Sequence, residues 1–564
     1  MQINCYCVAC EREMELTVFQ NSEALRLLLD KRFVEEWQSL ADQCGYVTVF
    51  LEPDFVISWF KVYLRHFDPI LFVGRGDNDE LVGLLFVCRQ GGTGKLYHVG
   101  LNLAEYHGFL ALDNFLEEFI INSLTELKRL IGTGCWDWGW LPPGLGTGWR
   151  HSDVLKAHDI FVSLESEESP IYSLLDDARY RKLRKNKSNK NQLNRFLKRA
   201  GFSFYRVTSP DEVNELVGAL ANQYEFRKIA LYRKAPFRQD PLRSVFLKEA
   251  FKNSELSHLS VMKVEGRPVA IHYGFHDDST FYLTLPTFDP AESRNSPGKI
   301  YLLKLMEHLI ESGYEKLDLT PGKDAYKSKF SNGVQSVSQA KLYFSRRVYL
   351  AFIAKERLKA MIKRAGLDQP WLVGKDSIPR KLAGKMAAIV GVGLVLQKAL
   401  PRWKSGAASA RSYFVATQKV AMESALEACV HMVTFNRYDD LLGDDCRNIE
   451  RESVHLKMAL DHFDAGDTLV TVTSGESLIH SGWLIEDGVS RLSACKVGSE
   501  CEKYFVYDLV SCAESISRIL LEGVIYSIRK HVASGGGEGV IFSIPESEIE
   551  FKSALSGTHG VAPL

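Results

Sequence analysis

The sequence has few cysteines for its length and no long apolar run. Eleven cysteines in 564 residues are too few for a disulfide framework. Cys5, Cys7 and Cys10 form a cluster, but no second Cys or His cluster follows it, so we expect no metal site. The most apolar stretch, residues 386–396, has about half of the ~20 residues that a membrane span needs. The first residues lack the basic and apolar regions of a secretory signal, which favours a reducing cytoplasm.

The sequence also has no large excess of either charge and none of the common catalytic motifs. With 69 basic and 70 acidic residues, the net charge of −1 gives no reason to expect DNA as a partner. There is no G-x-S-x-G, no H-E-x-x-H, no kinase motif set and no G-x-G-x-x-G after a strand. The segment GGTGK is not a phosphate loop, because Arg89 and Leu96 occupy the positions of the first glycine and of Ser/Thr. A hairpin turn is the better interpretation.

Residues 266–332 carry the clearest pattern in the chain. Two runs rich in aromatic and β-branched residues predict antiparallel strands. A helix should follow, with Ser296 as its cap, Pro297 in its first turn and Gly313 at its end. A short strand ending at Asp318 comes next. A helix that starts at the mouth of a sheet presents free backbone N–H groups, which attract phosphate.

Read together, SPGK at a helix start and DLTPGKDAYKSKF after the next strand resemble the CelD-type acetyltransferase domain of the GNAT superfamily, a relative of the FemAB-like transferases. The matching positions are Ser296, Pro297, Gly298, Asp318, Gly322, Tyr326 and Lys327. The resemblance extends more weakly back to about Val18. It implies an α/β fold with mixed GNAT-like sheets, built as tandem acyl-CoA N-acyltransferase-like domains with helical linkers. It also implies acyl-CoA as co-substrate, with no permanently bound cofactor.

Element order and composition predict five segments. They are a degenerate GNAT-like domain (1–165), a basic helical connector (166–201), a catalytic-type GNAT domain (202–347), a basic helical linker (348–425) and a second degenerate GNAT-like domain (426–564). The last domain has no glycine where a phosphate loop would lie. We therefore expect it to be dispensable for the chemical step.

Two basic stretches leave alternatives open. Residues 179–199 are dense in Lys and Arg and contain no acid. They could form a solvated linker, a wall that guides an anionic ligand, or, less in keeping with the lack of interleaved aromatics, a tRNA-binding surface. Residues 355–404 could form a linker helix pair or a peripheral membrane contact.

Acyl transfer from a thioester requires a held donor, a polarised carbonyl and an aligned acceptor, and a base can help. The candidate catalytic residues are Asp318, Tyr282, His272 and Asp289. The donor phosphates are assigned to Arg294, Ser296, Gly298 and Lys299, and the acceptor to Tyr326, Lys327, Tyr224 and Arg227. His272 could instead be a satisfied sheet histidine, Asp289 a turn cap and Lys327 a surface charge. Because the usual phosphate loop R/Q-x-x-G-x-G/A is matched only by Arg294 and Gly298, aminoacyl-tRNA stays open as a donor.

We therefore expect an acyltransferase that moves an acyl group from acyl-CoA to an amine or hydroxyl of a polysaccharide or cell-envelope precursor. The alternative from another class is a non-catalytic binding or assembly protein of an exopolysaccharide system. The two differ in whether the donor residues, Asp318 and Lys327 lie around one open cleft.

Overall fold

A computed structural model of the protein describes residues 14–175, 177–253, 255–322, 324–364, 410–416, 433–442, 449–474, 477–486, 504–512, 518–534, 539–545 and 561–563. The chain divides into two compact units. The first takes Met1–Val56, Leu64–Glu168 and Gln335–Gly406, and the second takes Ile57–Tyr63, Ser169–Val334 and Ala407–Leu564. The five-segment division stays a prediction, and residues 365–409, which carry most of the basic linker, lie outside the described residues.

The described residues contain both helices and strands along the whole chain. The helices are α1 (Asn21–Leu29), α2 (Lys31–Gln43), α3 (Pro53–Tyr63), α4 (Leu116–Ile131), α5 (Asp153–Ala157), α6 (Asp177–Lys185), α7 (Lys187–Leu197), α8 (Pro210–Tyr232), α9 (Pro236–Gln239), α10 (Leu242–Ala250), α11 (Pro297–Glu311), α12 (Ala325–Phe330), α13 (Arg346–Arg364), α14 (Ile449–Ala465) and α15 (Arg518–Ser534). None of these helices is long and apolar enough to span a bilayer.

The strands are β1 (Glu15–Gln20), β2 (Phe67–Arg75), β3 (Leu81–Gln90), β4 (Leu96–His98), β5 (Leu110–Ala111), β6 (Cys135–Trp140), β7 (Phe161–Ser173), β8 (Ser203–Arg206), β9 (Ser257–Val264), β10 (Arg267–His276), β11 (Thr280–Phe288), β12 (Lys316–Asp318), β13 (Gly333–Tyr343), β14 (Ala410–Ala416), β15 (Val433–Phe435), β16 (Thr468–Ser474), β17 (Ser477–Glu486), β18 (Tyr504–Cys512), β19 (Gly539–Pro545) and β20 (Val561–Pro563).

The first unit contains an antiparallel sheet in the order β1-β2-β3-β4, with β5 also paired to β3. Trp37 on α2 is buried, stacks on Phe86 of β3 at 4.3 Å between ring centroids, and donates its indole N–H to the Leu51 carbonyl at 3.1 Å. The glycines of GGTGK turn β3 back into β4, and the Gln90 N–H donates to the Lys95 carbonyl at 2.8 Å. The segment is therefore a hairpin turn, as the sequence predicts.

The second unit contains the sheet on which the candidate site is built. Its strands run in the order β12-β11-β10-β9-β8, and the end of β7 pairs with β12. All neighbouring pairs are antiparallel except β11 and β12, which are parallel and are joined by α11. The apolar side of α11, with Leu305 and Met306, is buried in the same core as Phe281 of β11. Helices α8 and α10 pack together, and α8 also contacts β10 and β11.

The basic segment before this sheet forms two helices, α6 and α7, that break at Asn186. The Asn186 side chain caps α7 by accepting the Ser188 N–H at 3.0 Å. Both helices pack on α11, and the Tyr180 hydroxyl donates to the Leu303 carbonyl at 3.0 Å. Part of the segment's charge is neutralised from outside it, since Arg184 forms an ion pair with Glu307 of α11 at 2.5 Å.

The C-terminal part of the second unit is a further mixed sheet, ordered β15-β16-β17-β18-β19-β14-β20. Strands β18 and β19 are parallel, and α15 lies between them in the chain. Helix α14 packs against α8, and the shared core contains Phe226, Ile229, Tyr438, Leu456 and Phe463. The assignment of this part as a degenerate GNAT-like domain stays a prediction.

Candidate active site

Strands β11 and β12 separate after a short parallel contact. Only three residue pairs are in register, and the last is Tyr282 with Asp318. Strand β12 ends there, while β11 continues to Phe288. Among the described residues, no strand pairs with this side of β11 beyond Tyr282. A free strand edge presents backbone N–H and C=O groups that can pair with an extended ligand.

A β-bulge lies where the two strands separate. Tyr273 of β10 is opposite Leu285, and Phe275 is opposite Tyr282. Between these two pairs, β10 has one residue and β11 has two. The extra residue falls at Leu283 or Thr284. A bulge leaves a residue outside the regular ladder and changes the direction of its backbone groups. The sequence did not predict this feature, which can direct an N–H group at a developing oxyanion.

The start of α11 lies at the end of β11. Ser296 occupies the cap position with φ of 57°, in the left-handed region, and its side chain makes no capping hydrogen bond. The helix therefore starts at Ser296 as predicted, but the expectation that its side chain caps the helix is wrong. A Cβ on Gly298 would lie 3.1 Å from the Phe288 ring, so the helix backbone approaches that ring closely. Pro297 has no N–H, and the N–H groups of Ser296 and Lys299 donate to the carbonyls of Ser293 and Ser296. The Gly298 N–H is left to donate to an anion.

Two lysines and a second helix start adjoin this point. Lys299 in the first turn of α11 donates to the Ser188 hydroxyl at 3.3 Å, and Ser188 is in the first turn of α7. Burial, and then repulsion from Lys329, lowers the pKa of Lys299. The repulsion shows that the Lys329 ammonium is near that of Lys299, and the dipoles of both helices add positive potential at their starts.

Arg227 and Tyr224 lie on α8. The Arg227 guanidinium stacks over the Phe288 ring, 5.5 Å from its centroid, and the same ring faces Gly298. Arg227 is thereby placed near the start of α11. Tyr224 packs against Phe237 at 5.8 Å.

Arg294 packs on the C-terminal part of the unit. Its side chain covers Gly466, where an added Cβ would lie 2.6 Å from the Arg294 Cδ. The sequence assigned Arg294 to the donor phosphates, whereas the structure shows its guanidinium against the end of α14.

Asp318 and Lys327 meet at one turn, where both are buried rather than open to a cleft. Asp318 accepts the Thr320 N–H at 2.7 Å. The Lys327 ammonium donates to the carbonyls of Thr320 and Pro321 at 2.9 and 3.0 Å. Lys327 is 5% exposed, so the alternative of a surface charge is wrong, and its role in acceptor binding stays a prediction. Its N–H groups satisfy carbonyls that burial would otherwise leave unpaired. Tyr326 beside it is half-buried against the core under α11.

His272 and Tyr282 are core residues. His272 is fully buried, burial lowers its pKa to about 3, and among the described residues neither ring nitrogen has a hydrogen-bond partner. The imidazole is therefore neutral and out of an acceptor's reach. The alternative of a satisfied sheet histidine is right about its burial but wrong about its hydrogen bonds. The buried Tyr282 hydroxyl donates to Asp277 at 3.0 Å, at the far end of β11 from α11.

Asp289 caps the short helix between β11 and α11. Its carboxylate accepts the Ala291 N–H at 2.9 Å, so the alternative of a turn cap is realised. Burial raises its pKa to about 7, and repulsion from Glu292 adds to the shift. Among the described residues no group of His, Cys, Asp and Glu could hold a metal ion.

With this geometry in view, comparison with known proteins identifies the class of the domain. Residues 181–328 match the family model described as an acetyltransferase (GNAT) domain. The expected mixed α/β, GNAT-like fold and acyltransferase class are thereby confirmed for this domain, which is about a quarter of the chain. No curated protein matches the chain.

Several solved structures are distantly similar. FemX shares 11% identity, with 57% of this chain and 98% of that chain covered and a TM-score of 0.38. A tandem GNAT protein from the clavulanic acid biosynthesis pathway shares 12%, with 58% and 98% covered and a TM-score of 0.34. The C-terminal domain of a putative lysylphosphatidylglycerol synthetase from Agrobacterium fabrum shares 11%, with 58% and 95% covered and a TM-score of 0.35. Similarities this distant do not indicate a substrate.

Proposed function

We propose that the second unit transfers an acyl group from acyl-CoA to an amine or hydroxyl acceptor. The observation that carries the proposal is the gap between β11 and β12, which opens at a bulge and leads along a free strand edge to the start of α11. A long donor with a thioester at one end and phosphates at the other fits this order of groups.

The phosphates would lie at the start of α11, where Gly298 presents its backbone N–H and Lys299 supplies charge. Arg227 approaches the same place across the Phe288 ring. The two amides of the pantetheine arm would pair with the free edge of β11. The thioester carbonyl would then reach the bulge, where a backbone N–H can polarise it.

The acceptor's nitrogen or oxygen attacks the thioester carbon, a tetrahedral intermediate forms, and its collapse expels the CoA thiolate, which takes up the acceptor's proton. Holding both reactants in one cleft supplies much of the rate. We assign Asp318 and Lys327 to fixing the turn beside the cleft, because both are buried and bonded to it.

The finer assignments are also proposals. The resemblance of residues 296–327 to the CelD type supports a polysaccharide or cell-envelope precursor as acceptor. Acyl-CoA as donor favours the cytoplasm, where that compound is made.

A second candidate donor is aminoacyl-tRNA, favoured by one observation. A groove of about 690 Å³ on α6 is lined by Ala178, Arg181, Lys182, Lys185 and Asn186. Three cations with no acid among the lining residues suit a polyanion. The non-catalytic alternative would leave both donors unused.

One competition experiment separates these possibilities. Acetyl-CoA binding is measured by calorimetry alone, with 3′-phospho-ADP present, and with charged or uncharged tRNA present. We expect acetyl-CoA to bind, and the nucleotide, which carries the phosphates, to compete with it more strongly than tRNA does. Binding of charged tRNA without acetyl-CoA binding would favour the second donor, and binding of neither would favour the assembly protein.

A further inference from the structure

The loop that leads into the donor helix is in contact with the C-terminal part of the chain. The short helix Pro290–Asn295 joins β11 to α11 and packs on α14. Ser293 donates its hydroxyl to Asp464 of α14. The Arg294 side chain covers Gly466, the residue that ends α14. The loop before the donor helix therefore rests on a surface more than 150 residues away in sequence.

The opposite side of the same loop is held by the end of the basic segment. Arg199 forms a bidentate ion pair with Glu292, at 2.6 and 2.7 Å. The Asn295 amide also donates to Glu292 at 2.7 Å. A buried bidentate pair has little freedom to rearrange. Arg199 fixes one side of the loop, so the C-terminal contacts decide where its other side lies.

Helix α8, which carries Arg227, rests on the same surface. Arg238, just after α8, forms a bidentate ion pair with Glu452 of α14 at 2.8 and 2.9 Å. The Ser453 hydroxyl donates to the Ala230 carbonyl at 3.4 Å. Both elements that reach the proposed phosphate site, α8 and the loop before α11, are thus placed by α14.

We propose that α14 and Gly466 position the donor site, so that the C-terminal part of the chain sets donor affinity. This inference rests on the proposed function. It refines the expectation that residues 426–564 are dispensable for the chemical step. Their loss would weaken donor binding, but the rate of the chemical step at saturating donor would stay unchanged. Arg294, Ser293, Asp464 and Gly466 act through the loop and are positioning residues.

The test uses two glycines with the same backbone conformation. Gly466 has φ of 84° and Gly313, at the end of α11, has φ of 85°. Alanine at either position carries the same left-handed strain. A Cβ on Gly313 would have no atom within 4 Å, whereas one on Gly466 would displace Arg294. Gly313→Ala is therefore a matched control.

We expect Gly466→Ala in the full chain to raise the donor KM at least fivefold with kcat little changed. Gly313→Ala should keep the parent KM, although its melting temperature should fall by a similar amount to that of Gly466→Ala. Asp464→Ala should reproduce the KM effect. Asp464→Asn should restore the parent KM, because its amide oxygen still accepts from Ser293. An unchanged donor KM in Gly466→Ala, or an equal rise in Gly313→Ala, overturns the proposal.

Amide hydrogen exchange over residues 293–299 separates this proposal from the proposed function, because it needs no donor. We expect faster exchange in Gly466→Ala than in Gly313→Ala. If the parent binds no acyl-CoA, the proposed function fails, and the exchange comparison alone decides whether α14 holds the loop. Equal exchange in the two variants then overturns the inference as well.

Discussion

Asp289 gives the sharpest test of how the loop before α11 is built. The carboxyl is 8% exposed and caps the short helix through the Ala291 N–H. Burial is the largest cause of its raised pKa of about 7, repulsion from Glu292 and Asp439 adds to it, and the capping hydrogen bond and Arg267 oppose it. The folded protein therefore holds this carboxyl protonated at pH values where the unfolded chain does not.

The sign of the pH dependence follows from this difference. A group whose pKa is higher in the folded state stabilises the fold at low pH, and that stability is lost as pH rises through the folded value. The ordinary value is 3.8 and the folded value about 7, so the loss falls between about pH 4 and pH 7. At 1.36 kcal/mol per pH unit this amounts to roughly 4 kcal/mol, as an upper figure.

Asp289→Asn removes the titration and keeps an oxygen that can accept the Ala291 N–H. We expect the free energy of unfolding of the parent, measured in urea at pH 5 and pH 8, to fall more steeply than that of the variant. At pH 8 the variant should be the more stable protein. Asp461→Asn, at an exposed position on α14, is the control and should follow the parent. Parallel pH profiles of Asp289→Asn and the parent would refute the reasoning.

Two further predictions concern charge. Replacing Glu452 with Gln removes the charged bidentate partner of Arg238, which keeps its ion pair with Glu225 at 3.4 Å, and should lower the free energy of unfolding by about 2 kcal/mol in chemical denaturation. Glu450→Gln, at an exposed pair of 3.8 Å, should cost under about 1 kcal/mol, and equal losses would contradict the prediction. Neutralising the groove on α6 should weaken acyl-CoA affinity at low salt without lowering the melting temperature. At 1 M salt the affinity should match that of the parent, because the Debye length falls from about 10 Å at 0.1 M to about 3 Å. The variant changes Arg181, Lys182 and Lys185 to Gln, and salt-independent affinity would leave the segment a linker.

The helix start at the donor site could be predicted because its signals are local. Pro297 suits a first helical turn and Gly313 an end, and α11 spans Pro297–Glu311. The break between α6 and α7 also had a local signal, since Asn186 is a good helix cap. The continuous run of Lys and Arg around it nevertheless favours the prediction of a single helix.

The features that were missed depend on distant parts of the chain. The bulge in β11 follows from its register with β10, which residue periodicity does not specify. Lys327 reads as a surface charge among other lysines, and its burial follows from the two carbonyls that the turn at Thr320 presents to it. The contact of Arg294 with Gly466 joins segments that only tertiary packing brings together.

The central claim, a donor bound at the start of α11, is tested most directly by acetyl-CoA binding to two leucine variants. Gly298 lies in the first turn of α11, and Gly218 lies on α8 with no atom within 4 Å of an added Cβ. Both substitutions replace a helical glycine and gain similar helix propensity. Calorimetry should show that Gly298→Leu weakens acetyl-CoA at least tenfold, about 1.4 kcal/mol, while Gly218→Leu keeps the parent affinity. Parent-like affinity in a folded Gly298→Leu protein would contradict the account.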